Sequence, residues 1–323
     1  MLRSLFRWEK LEKPSLIILK EHPCRVIFYD LAENTTLQEI KNNDRRRPFD
    51  LQQVPFRVTL VKRAENEYEM IISNHHILYD GWSNGIILRE FFQVYHRLSR
   101  GEQVVKIPAK PPFKEFVRWM QSRDKISREK YWREYLAGFE PPAESFLKKD
   151  CDVAAGANDY ALIFEGALID TLDAFVKNNR VTLAAIFYTA WGLLLQKYGG
   201  SEDVVFGTTV SGRSAAIEGI EDMVGLFINT IPLRIQTNAG VKMGALLART
   251  GQMLREREGF EDTPPVDIAA CSGLGSALFN TFVAIENYPL DNDLVPPGSL
   301  LSVNSYAIAE STPYDLSVGI MLH

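Results

Sequence analysis

Two histidines stand side by side in this chain, at His75 and His76, although the whole sequence contains only five. An Asp-Gly pair follows them at a short fixed distance, as Asp80 and Gly81. Imidazole is the side chain best suited to handling a proton near neutral pH, and a nearby carboxylate can hold its geometry. An arbitrary histidine pair is more often structural, but the added Asp-Gly pair favours an acid–base site of the kind used in acyl transfer.

The residues before this segment predict a β-strand that continues into it. If a strand runs over 68–76, side chains alternate between its faces, and only one of His75 and His76 can enter a cleft. Metal binding is the weaker functional alternative, because opposed imidazoles cannot join one ion and no third ligand is nearby in sequence. Asp80 is then expected at the turn into the next helix, where Gly81 permits a tight or left-handed backbone.

Hydrophobic periodicity predicts an alternation of strands and helices around the histidines. Strands are expected over 16–20, 25–29, 56–61 and 68–73. A helix is expected from Ser83, acting as N-cap, to Gly101, and a second helical region covers about 113–136. In the second half, a helix over 181–198 begins at Thr182 or Asn179, and strands are expected over 203–210, 225–235 and 279–285. The pattern predicts an α/β (α+β) fold.

Composition indicates two lobes and excludes several classes of function. A polar stretch over 141–159 is expected to link a lobe at 1–140 to a lobe at 160–323, with the site in the cleft between them. The net charge of −5 provides no basic field for nucleic acid or an anionic membrane. No apolar run has transmembrane length and no signal peptide is evident, so a cytoplasmic protein is expected. Cys24, Cys151 and Cys271 are too scattered for a disulfide framework or a zinc site.

Several motifs carry a resemblance to a known family. The segment 75–83, HHILYDGWS, resembles the HHxxxDG core motif of the condensation domains of nonribosomal peptide synthetases. Four further segments resemble motifs of the same family in the same order: 2–9 (LRT-x-F), 47–51 (RPFDL), 210–213 with 223–234 (SGR and VGxFxNTxPxR), and 280–282 with 286–289 (F-[DN]-T and ENYP). Together these matches span nearly the whole chain.

The resemblance implies a fold and a reaction. The fold would be two chloramphenicol-acetyltransferase-like lobes that form a V-shaped pseudo-dimer around a central tunnel. Donor and acceptor peptidyl carrier proteins would dock at opposite mouths, and an adenylation domain would be adjacent. The acceptor amine would attack the donor acyl thioester to form an amide. No metal and no directly bound cofactor is implied, because each phosphopantetheine arm arrives on a carrier protein.

The resemblance also assigns roles to individual residues. His76 is the catalytic candidate, which either takes the proton from the attacking amine or orients that amine and stabilises the tetrahedral state. Asp80 would hold the loop by pairing with Arg213, and Gly81 with nearby backbone N–H groups would lie near the developing oxyanion. Supporting positions fall on His75, Arg213, Trp82 and Asn229.

The sequence departs from the family pattern in places, and alternatives stay open. The family's opening and closing segments are not found, so a chain truncated at both ends with an incomplete tunnel is expected. Tyr79 stands where the family often has Met. The alternatives are an inactive remnant that only docks carrier proteins, an epimerization domain and a standalone acyltransferase. An epimerization domain would usually carry another pattern after Asp-Gly than Trp82-Ser83-Asn84-Gly85, and Trp82 favours an L-configured donor.

Overall fold

The structure is a computed structural model that describes residues 1–31, 36–103, 110–141, 160–238, 240–286, 294–310 and 312–321. The chain forms two compact units, each assembled from separate parts of the sequence. The first contains Met1–Arg118, Ala215–Phe227 and Tyr288–Asn304, and the second contains Trp119–Ser214, Ile228–Asn287 and Ser305–His323. The lobe limits predicted at 1–140 and 160–323 do not coincide with these units and stay a prediction. From residue 142 onward, the expected linker lies outside the described residues.

The first unit contains two sheets. In one, β1 (Ser4–Arg7) pairs antiparallel with β2 (Ser15–Ile18). In the other, β4 (Phe56–Ala64) lies between β3 (Val26–Asp30), to which it is parallel, and β5 (Glu67–Asn74), to which it is antiparallel. The helices are α1 (Leu37–Arg46) and α2 (Gly81–Ser99), and α3 (Lys114–Ser122) has residues in both units. The strands predicted from apolar runs in this part are confirmed, with shifts of one to three residues at their ends.

A nearly buried ion pair attaches α1 to the strands that lead into the histidine segment. The Nε of Arg57 on β4 donates to Asp44 Oδ1 at 2.6 Å, and both side chains are about nine-tenths buried. The Ser73 hydroxyl on β5 donates to the other oxygen of the same carboxylate. A desolvated carboxylate is stable only when such donors satisfy it, so this group fixes where β5 ends relative to α1.

The second unit has a sheet of order β7-β6-β8-β9. Its strands are β6 (Asp203–Val210), β7 (Asn229–Gln236), β8 (Thr281–Glu286) and β9 (Leu316–Met321). Its helices are α4 (Lys125–Tyr135), α5 (Ala167–Asn179), α6 (Leu183–Gly199), α7 (Met243–Arg257) and α8 (Pro265–Ser272). The β6–β7 pair is antiparallel, whereas β8 is parallel to both β6 and β9.

One predicted element in this part differs from the observed one. The helical region expected over 113–136 is confirmed and consists of two helices, because the Asp124 side chain accepts from the backbone N–H groups of Ile126 and Ser127 and so begins α4. The strand expected from Gly225 begins four residues later, at Asn229. The predicted helix over 181–198 is confirmed, with Thr182 as its N-cap and Gly200 in the left-handed conformation at its end.

Helix α6 packs its apolar face on the sheet of the second unit. Tyr188 and Leu195 join a buried cluster with Phe206, Leu233 and Ile235 of β6 and β7. On the same strands, Arg234 forms a two-pronged ion pair with Asp203 and also donates to the carbonyl oxygens of Tyr135 and Ala137. The arginine at the end of the VGxFxNTxPxR-like segment therefore ties β7 to β6 and to the end of α4.

We predict that Gly192→Ala lowers the free energy of unfolding by about 1–3 kcal/mol, because a Cβ there would lie 2.6–3.0 Å from side-chain atoms of Ile235. Gly251→Ala on α7 is the matched control, since its Cβ would meet nothing closer than 3.6 Å. That control should gain stability, by up to about 1 kcal/mol, from helix propensity. Urea unfolding measures both, and equal stability of the two variants would contradict the close packing of α6.

Candidate functional site

The two histidines lie in a turn beyond the end of β5. The strand ends at Asn74, and the turn is closed by the backbone N–H of Leu78 donating to the carbonyl oxygen of His75 at 3.1 Å. The N–H of His75 donates to Pro55 O at 3.1 Å. The prediction that the strand continues to His76 is therefore wrong, and the argument from opposite strand faces does not apply to this pair. We name residues 74–79 the histidine turn.

The two imidazoles have different environments within the turn. Nδ1 of His75 accepts a hydrogen bond from the backbone N–H of Ile77 at 3.2 Å, so the neutral ring carries its proton on Nε2. Partial desolvation, and secondarily the adjacent His76, lower the pKa of His75 below its ordinary value. Both side chains are exposed, but within the described part of the chain the His76 ring makes no hydrogen bond. His75 is thus bonded to the turn through Nδ1, whereas His76 is exposed without such a bond.

Asp80 joins the histidine turn to a distant part of the chain. Its side chain is nearly fully buried, and Oδ1 accepts from the backbone N–H of Ser83 at 2.9 Å, which makes Asp80 the N-cap of α2. Oδ2 accepts from the backbone N–H of Phe227 at 2.9 Å, and the N–H of Asp80 donates to Gly225 O at 3.2 Å. One carboxylate therefore fixes both the start of α2 and the segment that ends at Phe227.

Ser83 is not the N-cap predicted for α2. It lies inside the first turn, is completely buried, and its hydroxyl donates to Gly225 O at 2.9 Å while accepting from Gly225 N–H at 3.1 Å. Both backbone groups of Gly225 are thereby bonded to the first turn of α2. This explains why the strand expected to start at Gly225 begins only at Asn229.

Aromatic packing reinforces this junction. A Cβ on Gly225 would lie 2.2 Å from the ring of Phe113, so only glycine fits under that ring. The ring of Phe227 lies 5.1 Å from that of Phe113, nearly perpendicular to it, and 4.6 Å from that of Phe116. Edge-to-face and tilted contacts of this kind hold rings in defined positions.

The helix start itself contains two further predicted site residues. Gly81 is the first residue of α2 and has a helical rather than a left-handed backbone. The indole Nε1 of Trp82 donates to the carbonyl oxygen of Glu221 at 2.9 Å, which gives α2 another contact with the segment Ala215–Phe227. His75, His76, Asp80, Gly81 and Trp82 thus lie within one unit and on one continuous stretch from turn to helix.

The remaining predicted residues belong to the second unit. Arg213 follows β6, is half-buried, and its backbone N–H donates to the Ser211 hydroxyl at 3.3 Å. Its expected pairing with Asp80 stays a prediction. Asn229 begins β7, and its Nδ2 donates to the carbonyl oxygens of Glu261 and Thr263 at 2.7 and 2.8 Å. Burial raises the pKa of the Glu261 carboxyl to about 7.

Other predicted features can be checked only over the described residues. In that part of the chain no group of three or more His, Cys, Asp or Glu side chains is arranged to hold a metal ion. No helix there has both the length and the apolar character needed to cross a membrane. Cys24 and Cys271 are free thiols, and Cys151 lies outside the described residues.

Comparison with known proteins identifies the family of this site and fold. The family model described as condensation domain matches residues 1–323, the entire chain. The chain belongs to the condensation domain family. The resemblance stated from the motifs is therefore confirmed.

Curated relatives of the condensation domain chain are large synthases. It is 34% identical to tyrocidine synthase 2 of Brevibacillus parabrevis over 332 residues, 33% identical to surfactin synthase subunit 2 of Bacillus subtilis, and 34% identical to chondramide synthase cmdD of Chondromyces crocatus. These matches cover 98–99% of the chain but only 8–9% of each relative. The chain thus spans less than a tenth of the length of these relatives.

Solved structures establish the fold. The first condensation domain of the calcium-dependent antibiotic synthetase matches with a TM-score of 0.70 at 19% identity, over 90% of this chain and 71% of that one. The X-domain from teicoplanin biosynthesis matches with a TM-score of 0.69 at 20% identity, over 88% and 66%. The predicted α/β fold of the chloramphenicol-acetyltransferase-like type is confirmed, whereas the V shape and the tunnel stay predictions.

The sequence analysis missed the residues that hold Asp80 and α2 in place. Ser83, Gly225 and Phe227 all lie in the motif-like segments, 75–83 and 223–234, but their partners are up to 147 positions away. The sequence shows only that each segment contains a small residue, Ser83 or Gly225, among bulky ones. Nothing in either segment indicates that these two residues are in contact.

We predict that Ser83→Ala lowers the free energy of unfolding by about 1–3 kcal/mol, because it leaves the buried N–H and C=O of Gly225 without their hydroxyl partner. Ser99→Ala is the control on the same helix, because the Ser99 hydroxyl donates to His96 O at an exposed end. That change should stay within about 0.5 kcal/mol. Chemical denaturation measures both, and a Ser83 variant as stable as the Ser99 variant would contradict the described junction.

The lowered pKa of His75 predicts a loss of stability in mild acid. Because the pKa of this ring is lower in the folded than in the unfolded chain, the unfolded chain binds more protons once the pH falls below the ordinary value of about 6.5. The free energy of unfolding should then decrease from about pH 7.5 to about pH 5.5. His75→Gln should reduce this decrease, because it removes the ring whose pKa is lowered. Identical pH slopes for wild type and His75→Gln would contradict the assignment.

Proposed function

We propose that this condensation domain joins a carrier-bound acyl thioester to a carrier-bound amine, forming an amide bond. The observation that carries the proposal is the exposed His76 ring, which has no hydrogen-bond partner in the described part of the chain, on a turn held by the buried Asp80. The family match over the full chain supports the same reaction. Among solved relatives, a double mutant of the starter condensation domain of rhizomide synthetase was solved with C8-CoA and Leu-SNAC; it is 21% identical, with a TM-score of 0.68, over 89% of this chain and 66% of that one.

The proposed chemistry balances around one proton. The amine nitrogen attacks the thioester carbonyl carbon, a C–N bond forms, and the C–S bond then breaks. The amine must lose one proton and the departing sulfur must gain one. His76 accepts the first and supplies the second, which an imidazole can do near neutral pH. Holding both tethered reactants in reach removes much of the remaining barrier.

The other predicted residues support His76 in this proposal. Asp80 acts through position, because its side chain is buried and its oxygens accept from the backbone N–H groups of Ser83 and Phe227. Gly81 and the first N–H groups of α2 are proposed to lie near the oxyanion, since a helix start carries partial positive charge. The pairing of Asp80 with Arg213 is retained as part of the proposal.

The partners follow from the same reaction. Donor and acceptor carrier proteins would each deliver a phosphopantetheine arm, and an adenylation domain would load the acceptor. The curated relatives are named synthases of peptides such as tyrocidine and surfactin, and a solved relative is a four-domain nonribosomal peptide synthetase. These names support the proposal that this domain works beside carrier and adenylation domains.

His76→Ala is expected to slow amide formation by at least about 100-fold, the usual minimum for loss of a general acid–base group. The assay mixes a panel of L-aminoacyl donor carriers with L-aminoacyl acceptor carriers and follows dipeptidyl carrier by mass spectrometry. His22→Ala is the control, because His22 is exposed and lies far from the turn in sequence.

Each other outcome rejects part of the proposal. Equal rates for His76→Ala and wild type would rule out His76 as the catalytic group. Wild-type chain that binds carriers but forms no amide above background would identify a docking remnant. Transfer to a free amino acid as fast as to a carrier-bound one would identify a standalone acyltransferase. Inversion of the donor's configuration without amide formation would identify an epimerization domain.

A further inference from the structure

The histidine turn contains a side-chain contact that no feature of the proposed reaction requires. The Tyr79 hydroxyl donates to Oδ1 of Asn74 at 2.9 Å, and Nδ2 of Asn74 donates to the carbonyl oxygen of His75 at 3.3 Å. Tyr79 is 4% exposed. The two side chains thus join the first and last residues of the turn, and both histidines lie between these residues in sequence.

We propose that Tyr79 is a positioning residue for His76, acting through its hydroxyl contact with Asn74. This inference rests on the proposed function, in which His76 must meet the attacking amine. Tyr79 itself touches neither substrate nor the reacting atoms in this proposal. It holds the backbone that presents the imidazole.

The surrounding contacts show why a hydroxyl would matter here. Asn74 is held at the end of β5 by its register with Phe56, and Asp80 is held by the start of α2 and by Gly225. Between these fixed points, the described contacts of the His76 ring include no hydrogen bond. We therefore infer that the backbone of the turn sets the orientation of His76. The Tyr79–Asn74 hydrogen bond restrains that backbone by joining the last residue of the turn to the first.

The Tyr79 hydroxyl can serve as a donor throughout the working range of an imidazole. Burial raises the pKa of Tyr79 above its ordinary value of about 10, so the phenol stays protonated near neutral pH.

Tyr79→Phe tests the proposal, because it removes the hydroxyl and keeps the buried ring. One intramolecular hydrogen bond corresponds to about a 3- to 10-fold effect. We expect kcat for amide formation to fall by that factor while KM for both loaded carriers stays unchanged. Tyr68→Phe on β5 is the matched control, because Tyr68 is 50% exposed, and its kinetics should equal those of the wild type.

A spectroscopic readout separates positioning from loss of fold. In Tyr79→Phe the imidazole Cε1–H signal of His76 should shift or broaden in NMR spectra of the free chain, whereas in Tyr68→Phe it should not. The double variant Tyr79→Phe/Asn74→Ala should lose less kcat than the two single losses combined, because both changes remove the Tyr79–Asn74 contact and only Asn74→Ala also removes the donor to His75 O. If Tyr79→Phe does not fold, Tyr79→Met supplies the same test with a flexible apolar side chain.

The outcomes distinguish this inference from the proposed function. An unchanged kcat, or an unchanged His76 signal, in Tyr79→Phe would overturn the positioning role while His76→Ala still abolishes amide formation. Full activity of His76→Ala would instead reject the proposed function. A fall in kcat with an altered His76 signal, absent from the Tyr68 control, would support the positioning role.

Discussion

The carboxylate of Asp80 is the constraint on which the candidate site depends. A buried carboxylate is costly unless donors satisfy it, and here backbone N–H groups of Ser83 and Phe227 each occupy one oxygen. The same group ends the histidine turn, starts α2 and anchors the segment Ala215–Phe227. Displacing α2 or the distant segment would remove one of these two donors from the carboxylate. One desolvated carboxylate, that of Asp80, therefore links the positions of the turn, the helix and the distant segment.

This arrangement gives the two longest motif-like segments a physical relation. Ser83 in the segment 75–83 meets Gly225 in the segment 223–234, although 142 positions separate them. The ring of Phe113 above Gly225 excludes any larger residue there. The first residues of the second segment, up to Phe227, thus bond to α2 within the first unit, and from Asn229 the segment forms a strand of the second unit. One motif-like segment therefore contributes residues to both units.

Local patterns allowed most of the elements to be predicted, but not the junction between them. The strands over 56–61 and 68–73 follow from apolar alternation. Thr182, one of the two N-caps predicted for the helix over 181–198, is the observed N-cap. Two predictions were wrong where a distant partner decides the local structure: Ser83 is not a cap because its hydroxyl is bonded to Gly225, and the strand does not begin at Gly225 for the same reason. A third was wrong for a local reason, because β5 ends before a turn in which the N–H of Leu78 donates to His75 O. The sequence contains both partners of each contact but not their proximity.

The two adjacent imidazoles are restrained to different degrees. Nδ1 of His75 accepts a hydrogen bond from the backbone of the turn, and the lowered pKa of His75 disfavours the charged form that would break that contact. His76 has no such bond in the described part of the chain, so its orientation must come from the backbone beneath it. A general base needs its ring in one place before the amine arrives, because reorientation during the reaction would raise the barrier. In the proposed reaction, the contacts around the turn, from those of Asp80 to the Tyr79–Asn74 hydrogen bond, would supply that order while leaving the ring able to meet the amine.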